Sequence, residues 1–218
     1  MPRAQHSRLL LASASPRRAE ILRGAGFSFR TRPASVDETP RRGESPRKLV
    51  ARLAREKAFA AASHSAAPAL ILGADTEVVI GRQIFGKPSS HADARRMLRL
   101  LSGKTHTVLT GLTLLRLPLG ARRPRLISAV ESTRVTFAKL SPREIAAYVA
   151  SGEPMGKAGA YAIQGRGGKF VTRIEGCYFN VVGLPLARLC LMLQEMGVEN
   201  EGRKNKRRPE PSGRRRNR

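Results

Sequence analysis

Residues 9–22 read LLLASASPRRAEIL, and this stretch predicts how the fold begins. Its apolar run predicts a buried strand near residues 8–13. Ser15 and Pro16 then predict a helix start, because serine favours the N-cap and proline the first helical position. Arg17 and Arg18 occupy the first helical turn, where the helix dipole disfavours positive charge. The stretch therefore predicts a strand–helix unit with an anion bound beside the helix, although plain helix initiation also explains the serine and proline.

Strand and helix patterns alternate through the rest of the chain. Ser45-Pro46 and Ser141-Pro142 open two more helices, and Glu144 completes a capping box with Ser141. ALILGADTEVVI at residues 69–80 predicts a buried strand ending at Asp75 and a second, short strand after it. Alternating residues over 105–115 and 125–137 predict a long antiparallel pair. We expect an α/β fold with a mixed twisted sheet flanked by helices.

Composition and charge divide the chain of 218 residues into a flexible N-terminus (1–6), one domain (7–198) and a disordered basic tail (199–218). The net charge is +25, and residues 201–218 carry nine Lys or Arg against two Glu. This tail predicts weak, non-specific contact with nucleic acid. No apolar run is long enough to span a membrane and no secretory signal is evident, so we expect a cytoplasmic protein.

Two acidic positions are candidates for catalysis. Asp75, at the end of an apolar strand, is placed to hold a metal or to take a proton from water, since open α/β sheets bind ligands beyond their strand ends. An aspartate that caps the next turn is the alternative. Glu38, beside Asp37, offers oxygen ligands that suit Mg²⁺, and simple charge balance is the alternative there.

Lysine and glutamine side chains add candidates for binding a nucleotide. Lys57 lies inside the second helix, where it is equally well explained as a solvated residue, and Lys87 follows Gly86 in a turn that can approach phosphate. Gln164 lies in a glycine-rich stretch, SGEPMGKAGAYAIQGRGGKF (151–170), and its amide suits a nucleobase edge. Together these residues predict a phosphate-binding, metal-assisted site.

Blocks of sequence in the same order resemble the Maf family of nucleoside triphosphate pyrophosphatases over nearly the whole domain. They include LASASPRRAEIL, VDET, LAREKA, ILGADTEV, FGKP, LSGKTHTVLTG, TRVTF, EPMGKAGAYAIQG and EGCYFNVVGLPL. The resemblance implies an elongated fold like that of inosine triphosphate pyrophosphatase, with two lobes around a nucleotide cleft. It implies hydrolysis between the α- and β-phosphates with a divalent cation, Mg²⁺ or Mn²⁺. It also makes a homodimer plausible, which no pattern in the residues requires.

The resemblance also assigns roles to positions of this sequence. Asp75 would accept the proton of the attacking water, and Glu38 and Asp75 would bind the metal. The substrate-binding positions divide into those that set specificity (Arg17, Thr76, Gln164) and those that hold phosphates (Ser15, Arg18, Lys57, Lys87).

GAYAIQG is similar to the subgroup that cleaves dTTP and UTP rather than 7-methyl-GTP, so we expect pyrimidine substrates and the removal of non-standard nucleotides. Gly156 departs from the family pattern, which usually has aspartate before KAG. A carboxylate that holds the metal or orients Lys157 is then missing, which would reduce activity. The alternatives are a 7-methyl-GTP or broad nucleotide pyrophosphatase, or a nucleic-acid-binding or division-regulating protein with weak catalysis.

Overall fold

A computed structural model describes residues 9–65, 69–119 and 123–198. The predicted N-terminus (1–6) and basic tail (199–218) lie outside these residues. None of the helices in the described part of the chain has the length and apolarity needed to cross a membrane. Two short 3-10 turns accompany the main elements, which in chain order are β1 Leu9–Ala12, α1 Pro16–Gly24, β2 Phe29–Thr31, α2 Pro46–Ala62, β3 Ala69–Ile80, β4 Gln83–Phe85, α3 His91–Leu101, β5 Thr105–Leu117, β6 Arg125–Phe137, α4 Pro142–Ala150, β7 Val171–Glu175, α5 Tyr178–Val182 and α6 Leu186–Glu195.

The strands form one sheet of seven in the order β2-β1-β3-β5-β6-β7, with β4 paired to the far end of β3. β1 runs parallel to both β2 and β3, whereas the pairs β3–β5, β5–β6 and β6–β7 are antiparallel. Helices pack on both faces. The predicted α/β fold with a mixed sheet flanked by helices is therefore confirmed.

The predicted end of a strand at Asp75 is wrong, because β3 continues to Ile80. β5 pairs with β3 along nearly its whole length, and Asp75 lies opposite Gly111 within this ladder. β1, the parallel neighbour, does end here, with Ala12 opposite Gly73. Asp75 therefore lies in the middle of a long strand, just beyond the carboxyl end of the adjacent one.

Two apolar cores lie on one face of β3, at opposite ends of the strand. The first packs α1 and α6 against the beginning of β3, with Leu22, Leu72 and Leu189 fully buried. The second packs α3 and α4 against its end, with Val78 and Phe137 among the buried side chains. Along β3, residues Asp75 and Thr76 fall between the two cores.

Helix α2 covers the opposite face of β3 and β5 and approaches the backbone of both strands. A Cβ atom at Gly73 would overlap the carbonyl oxygen of Ala54, and one at Gly111 would overlap the carbonyl of Val50. Only glycine permits so close an approach between helix and strand backbones. The two glycines therefore fix the height of α2 above the sheet.

Serine residues precede four helices, and three of them cap the helix as expected. The hydroxyls of Ser45, Ser90 and Ser141 accept hydrogen bonds from backbone N–H groups in the first turn, and Ser141 and Glu144 form the predicted capping box. Ser15 stands at the N-cap of α1 but makes no side-chain capping bond. Helix initiation therefore does not use the Ser15 hydroxyl.

Replacing Gly73 with alanine should destabilise the protein, because the new methyl group would force α2 away from the sheet. We expect Gly73→Ala to lower the free energy of unfolding by about 3 kcal/mol, as in other overpacked sites. Gly24→Ala is the matched control, since no atom lies within 4 Å of its added Cβ. Urea unfolding measures both, and equal stability of Gly73→Ala and the wild type would contradict the close approach.

Candidate active site

A cavity of about 1220 Å³ opens where β1 ends and β3 continues between the two cores. All nine residues that the sequence nominated line it: Ser15, Arg17, Arg18, Glu38, Lys57, Asp75, Thr76, Lys87 and Gln164. They come from six segments of the chain: the start of α1, the loop before α2, α2 itself, β3, the turn after β4 and the glycine-rich loop. The structure thus brings the candidate residues together, while their individual roles remain predictions.

Lys57 bridges two carboxylates at the floor of the cavity. Its ammonium Nζ lies 2.7 Å from Asp75 Oδ1 and 2.6 Å from Glu38 Oε1. Lys57 is 8% exposed and Asp75 is 6% exposed, so the pair is buried and the helix-surface alternative for Lys57 is wrong. Removing one member of such a pair leaves an uncompensated buried charge.

Glu38 lies on the loop before α2 and is more accessible than Asp75. Burial raises the pKa of Glu38, but the hydrogen bond and charge of Lys57 outweigh burial and hold the pKa below its usual value. A second ammonium group, Nζ of the exposed Lys87, lies 3.7 Å from Glu38 Oε2. Glu38 is therefore ionised and faces two cations.

Asp75 and Glu77 each keep one buried oxygen without a hydrogen-bond partner among the described residues, Asp75 Oδ2 and Glu77 Oε2. Because side chains alternate along a strand, the two residues project from the same face of β3. Burial, with smaller contributions from the charges of Asp75 and Glu38, raises the pKa of Glu77 to about 8. The sequence interpretation missed Glu77 because it ended the strand at Asp75.

Arg18 is buried, and its guanidinium donates hydrogen bonds to oxygen atoms of the protein. Its Nε donates to the carbonyl oxygen of Gly183 at 2.9 Å, its Nη1 to Ser13 Oγ at 2.9 Å and Ala74 O at 3.0 Å, and its Nη2 to Thr76 Oγ1 at 2.9 Å. Four of its five N–H donors are therefore used. The cost of Arg18 at a helix start is offset largely by these oxygens, so a bound anion is not required to explain it.

Arg17 differs from Arg18 in having no hydrogen bond to any residue that the structure describes. It is half-buried in the cavity wall, and burial lowers its pKa. Lys157 lines the same cavity, and its pKa is lowered first by burial and then by the charge of Arg17. Two cations that repel each other across a cavity make a favourable place for an anion.

Glu153 holds the glycine-rich loop that carries Gln164. Its carboxylate accepts hydrogen bonds from the backbone N–H groups of Arg166 and Gly167, at 3.0 and 3.1 Å, and from the Tyr148 hydroxyl at 2.9 Å. Burial raises the pKa of Glu153, but these bonds outweigh it and the pKa is lowered. Sequence reasoning noted the loop and missed this residue, although an acidic side chain beside so many glycines was an available signal.

Thr76 and Gln164 both line the cavity. The Thr76 hydroxyl contacts Thr110 Oγ1 at 3.0 Å as well as Arg18, so it is fixed by the protein. Gln164 is exposed and makes no hydrogen bond within the described part of the chain. Its amide is therefore available to a ligand.

The acidic floor of the cavity fits a divalent cation that also binds a ligand's phosphates. No group of three or more His, Cys, Asp or Glu side chains in residues 9–65, 69–119 and 123–198 is close enough to hold a metal alone. Mg²⁺ commonly uses only one or two carboxylates and completes its coordination with water and phosphate oxygens. The unpartnered oxygens of Asp75 and Glu77 match that requirement.

Comparisons with known proteins agree with the resemblance in the sequence. A family model described as Maf-like protein matches residues 8–196. A protein of Anaeromyxobacter sp. named dTTP/UTP pyrophosphatase is 51% identical over 190 residues, which cover 87% of this chain and 90% of its own length. A protein of Pelotomaculum thermopropionicum with the same name is 49% identical over 189 residues, covering 87% of this chain and 96% of its own length.

Among solved structures, a nucleoside-triphosphatase / dITP/XTP pyrophosphatase from Mycobacterium abscessus matches with a TM-score of 0.34 and 16% identity. The match covers 66% of this chain and 95% of that one. So low a score supports no conclusion about this chain.

Replacing Glu153 with glutamine should loosen the glycine-rich loop, because an amide cannot accept all three hydrogen bonds. We expect faster hydrogen exchange at the amides of Arg166 and Gly167 and a loss of about 1–3 kcal/mol in stability. Glu144→Gln is the control, since Glu144 is also a hydrogen-bonded carboxylate but caps α4 outside the cavity. Unchanged hydrogen exchange at both amides in Glu153→Gln would show that the Glu153 carboxylate does not hold the loop.

Proposed function

This chain belongs to the Maf family, and we propose that it hydrolyses dTTP and UTP to the nucleoside monophosphate and pyrophosphate. The observation that carries the proposal is Asp75, a buried residue of the cavity wall that Lys57 holds at one oxygen, while the other oxygen has no hydrogen-bond partner among the described residues. The curated relatives, about half identical to this chain over most of its length, are named for the same reaction.

Asp75 is the group that takes a proton from the attacking water. The water oxygen forms a bond to the α-phosphorus, the bond from that phosphorus to the oxygen bridging the β-phosphorus breaks, and pyrophosphate leaves. The proton passes to Asp75 Oδ2, the oxygen that is free of Lys57. The ion pair with Lys57 orients the carboxylate, and a general base must be held in place in this way.

Cations around the cavity bind the triphosphate. Arg17 and Lys157 lie close enough for their charges to interact, and Lys87 lines the same cavity from the turn after Gly86. The free N–H groups at the start of α1 and the Ser15 hydroxyl add donors for phosphate oxygens. Arg18 has one N–H left for substrate and chiefly fixes the backbone around the site.

Glu38 and Asp75 would hold a Mg²⁺ or Mn²⁺ ion. When bound, such an ion neutralises phosphate charge and so favours attack by water. The amide of Gln164 recognises the base, and Thr76 and Arg17 shape the pocket around it. The similarity of the GAYAIQG loop to the subgroup that cleaves dTTP and UTP supports pyrimidine specificity, and the removal of non-standard nucleotides is part of the same proposal.

The compartment, the assembly, the contact with nucleic acid and the substrate range are further proposals. The cytoplasm is the proposed compartment, and a homodimer the proposed assembly. The tail at residues 199–218 lies outside the described residues and would give weak, non-specific contact with nucleic acid. A broader nucleotide range, including 7-methyl-GTP, is the competing substrate proposal.

The proposed reaction is tested by measuring pyrophosphate and monophosphate release from dTTP, UTP, CTP and 7-methyl-GTP with Mg²⁺ or Mn²⁺. We expect cleavage of dTTP and UTP, and a loss of about 10²–10⁴-fold in kcat for Asp75→Asn, the usual effect of removing a general base. Asp93→Asn, the same change at a partly exposed helix start outside the cavity, is the control. No cleavage by the folded wild type, or full activity in Asp75→Asn, would overturn the proposal.

Gly156 offers a second test, because it lines the cavity where the family resemblance leads us to expect aspartate. Its φ of +71° is a left-handed conformation that aspartate tolerates better than most residues, and no atom lies within 4 Å of an added Cβ. We expect Gly156→Asp to raise kcat/KM several-fold and to cost about 1 kcal/mol of stability.

Gly152→Asp is the matched control for Gly156→Asp. Gly152 has a φ of +72° and equally open surroundings, but it does not line the cavity. It should lose similar stability without gaining activity. A gain in both variants, or in neither, would show that a carboxylate at residue 156 has no place in the reaction.

A further inference from the structure

The proposed function makes Asp75 both a metal ligand and the proton acceptor. Only one oxygen of its carboxylate is available for these two roles. Oδ1 accepts the hydrogen bond from Lys57 at 2.7 Å, so only Oδ2 is uncommitted. An oxygen that binds a cation is a poor acceptor for a proton, because the two compete for the same electron pairs. Another carboxylate is therefore needed if Asp75 is to serve as the base.

Glu77 is placed to supply that carboxylate. It follows Asp75 by two residues on the same face of β3 and lines the same cavity. Its Oε2 is buried and has no hydrogen-bond partner among the described residues. A Cβ added at Gly86 would lie 3.9 Å from that oxygen, so Glu77 reaches the turn that carries Lys87.

The two lysines whose charges act on Glu77, Lys57 and Lys87, are each paired with other carboxylates. Lys57 pairs with Glu38 and Asp75, and Lys87 pairs with Glu38, whereas no ion pair joins Glu77 to a residue of the described ranges. Leaving a buried carboxylate oxygen without a partner is costly. Asp75, more than nine-tenths buried, presents a second unpartnered oxygen to the same cavity. Two buried carboxylates with uncommitted oxygens beside one cavity are suitable donors for a divalent cation.

We propose that Glu77 is a ligand of the divalent cation, which leaves the free oxygen of Asp75 to accept the proton from water. The inference rests on the proposed function for the task of Asp75, but the binding of the cation is independent of turnover. Small, hard cations prefer carboxylate oxygens, and the neighbouring cavity admits the phosphates that complete their coordination. Glu38 contributes through the oxygen that faces Lys87.

The test is the affinity of the full-length protein for Mn²⁺ without nucleotide, measured by calorimetry or by relaxation of water protons. We expect Glu77→Gln to weaken Mn²⁺ binding at least about tenfold and Asp75→Asn to weaken it several times less. Glu20→Gln controls for charge alone, since Glu20 is an exposed carboxylate at the rim of the same cavity. The rise in Tm on adding Mn²⁺ should also disappear in Glu77→Gln and persist in Glu20→Gln.

Each result separates the inference from the proposed function. Undetectable Mn²⁺ binding by the wild type, or equal affinity in the wild type and Glu77→Gln, would overturn the inference even if dTTP is hydrolysed. A larger loss of Mn²⁺ affinity in Asp75→Asn than in Glu77→Gln would also overturn the inference. Conversely, loss of Mn²⁺ affinity in Glu77→Gln by a protein that cleaves no nucleotide would support the inference and refute the function. Glu77→Met repeats the test if the glutamine variant fails to fold.

Discussion

Lys57 reaches Asp75 because α2 lies directly on strand backbone at Gly73 and Gly111. A side chain at either position would overlap a carbonyl of the helix and lift it from the sheet. The ammonium group would then move away from the two carboxylates that it now bridges at 2.6 and 2.7 Å. Charge balance at the cavity floor, the ion pair that holds the Glu38 loop and the orientation of Asp75 all depend on this contact between a helix and two glycines.

The mixed sheet explains why there is a cavity at this point. β1 ends at Ala12, while its neighbour β3 continues because β5 pairs with it on the other side. Arg18 fills part of the gap by donating to the carbonyl oxygen of Ala74, beside the place where β1 stops. A side chain therefore donates the hydrogen bond that a neighbouring strand would otherwise supply at this edge. The remaining space is available to a ligand.

Local patterns in the sequence were sufficient for much of the fold and for the membership of the site. Serine caps, alternation in β5 and β6, and the strand–helix order are short-range signals, and they predicted a mixed α/β sheet and nine residues that do line one cavity. The end of β3 was missed because it depends on pairing with β5, residues 105–117, rather than on its own composition. Glu77 was not identified for the same reason, because it lies beyond the predicted strand end. The partners of Arg18 are up to 165 residues away, a distance over which no periodicity carries information.

That separation has a consequence for how the protein is made. Arg18 in the first helix is fixed by Gly183 near the last one, and Leu22 of α1 shares a core with Leu189 of α6. Chains emerge from the ribosome N-terminus first. The guanidinium of Arg18 therefore cannot form all of its hydrogen bonds until nearly the whole domain has been synthesised. A nascent or truncated chain cannot assemble the cavity, and only a completed polypeptide acquires the means to bind its ligand.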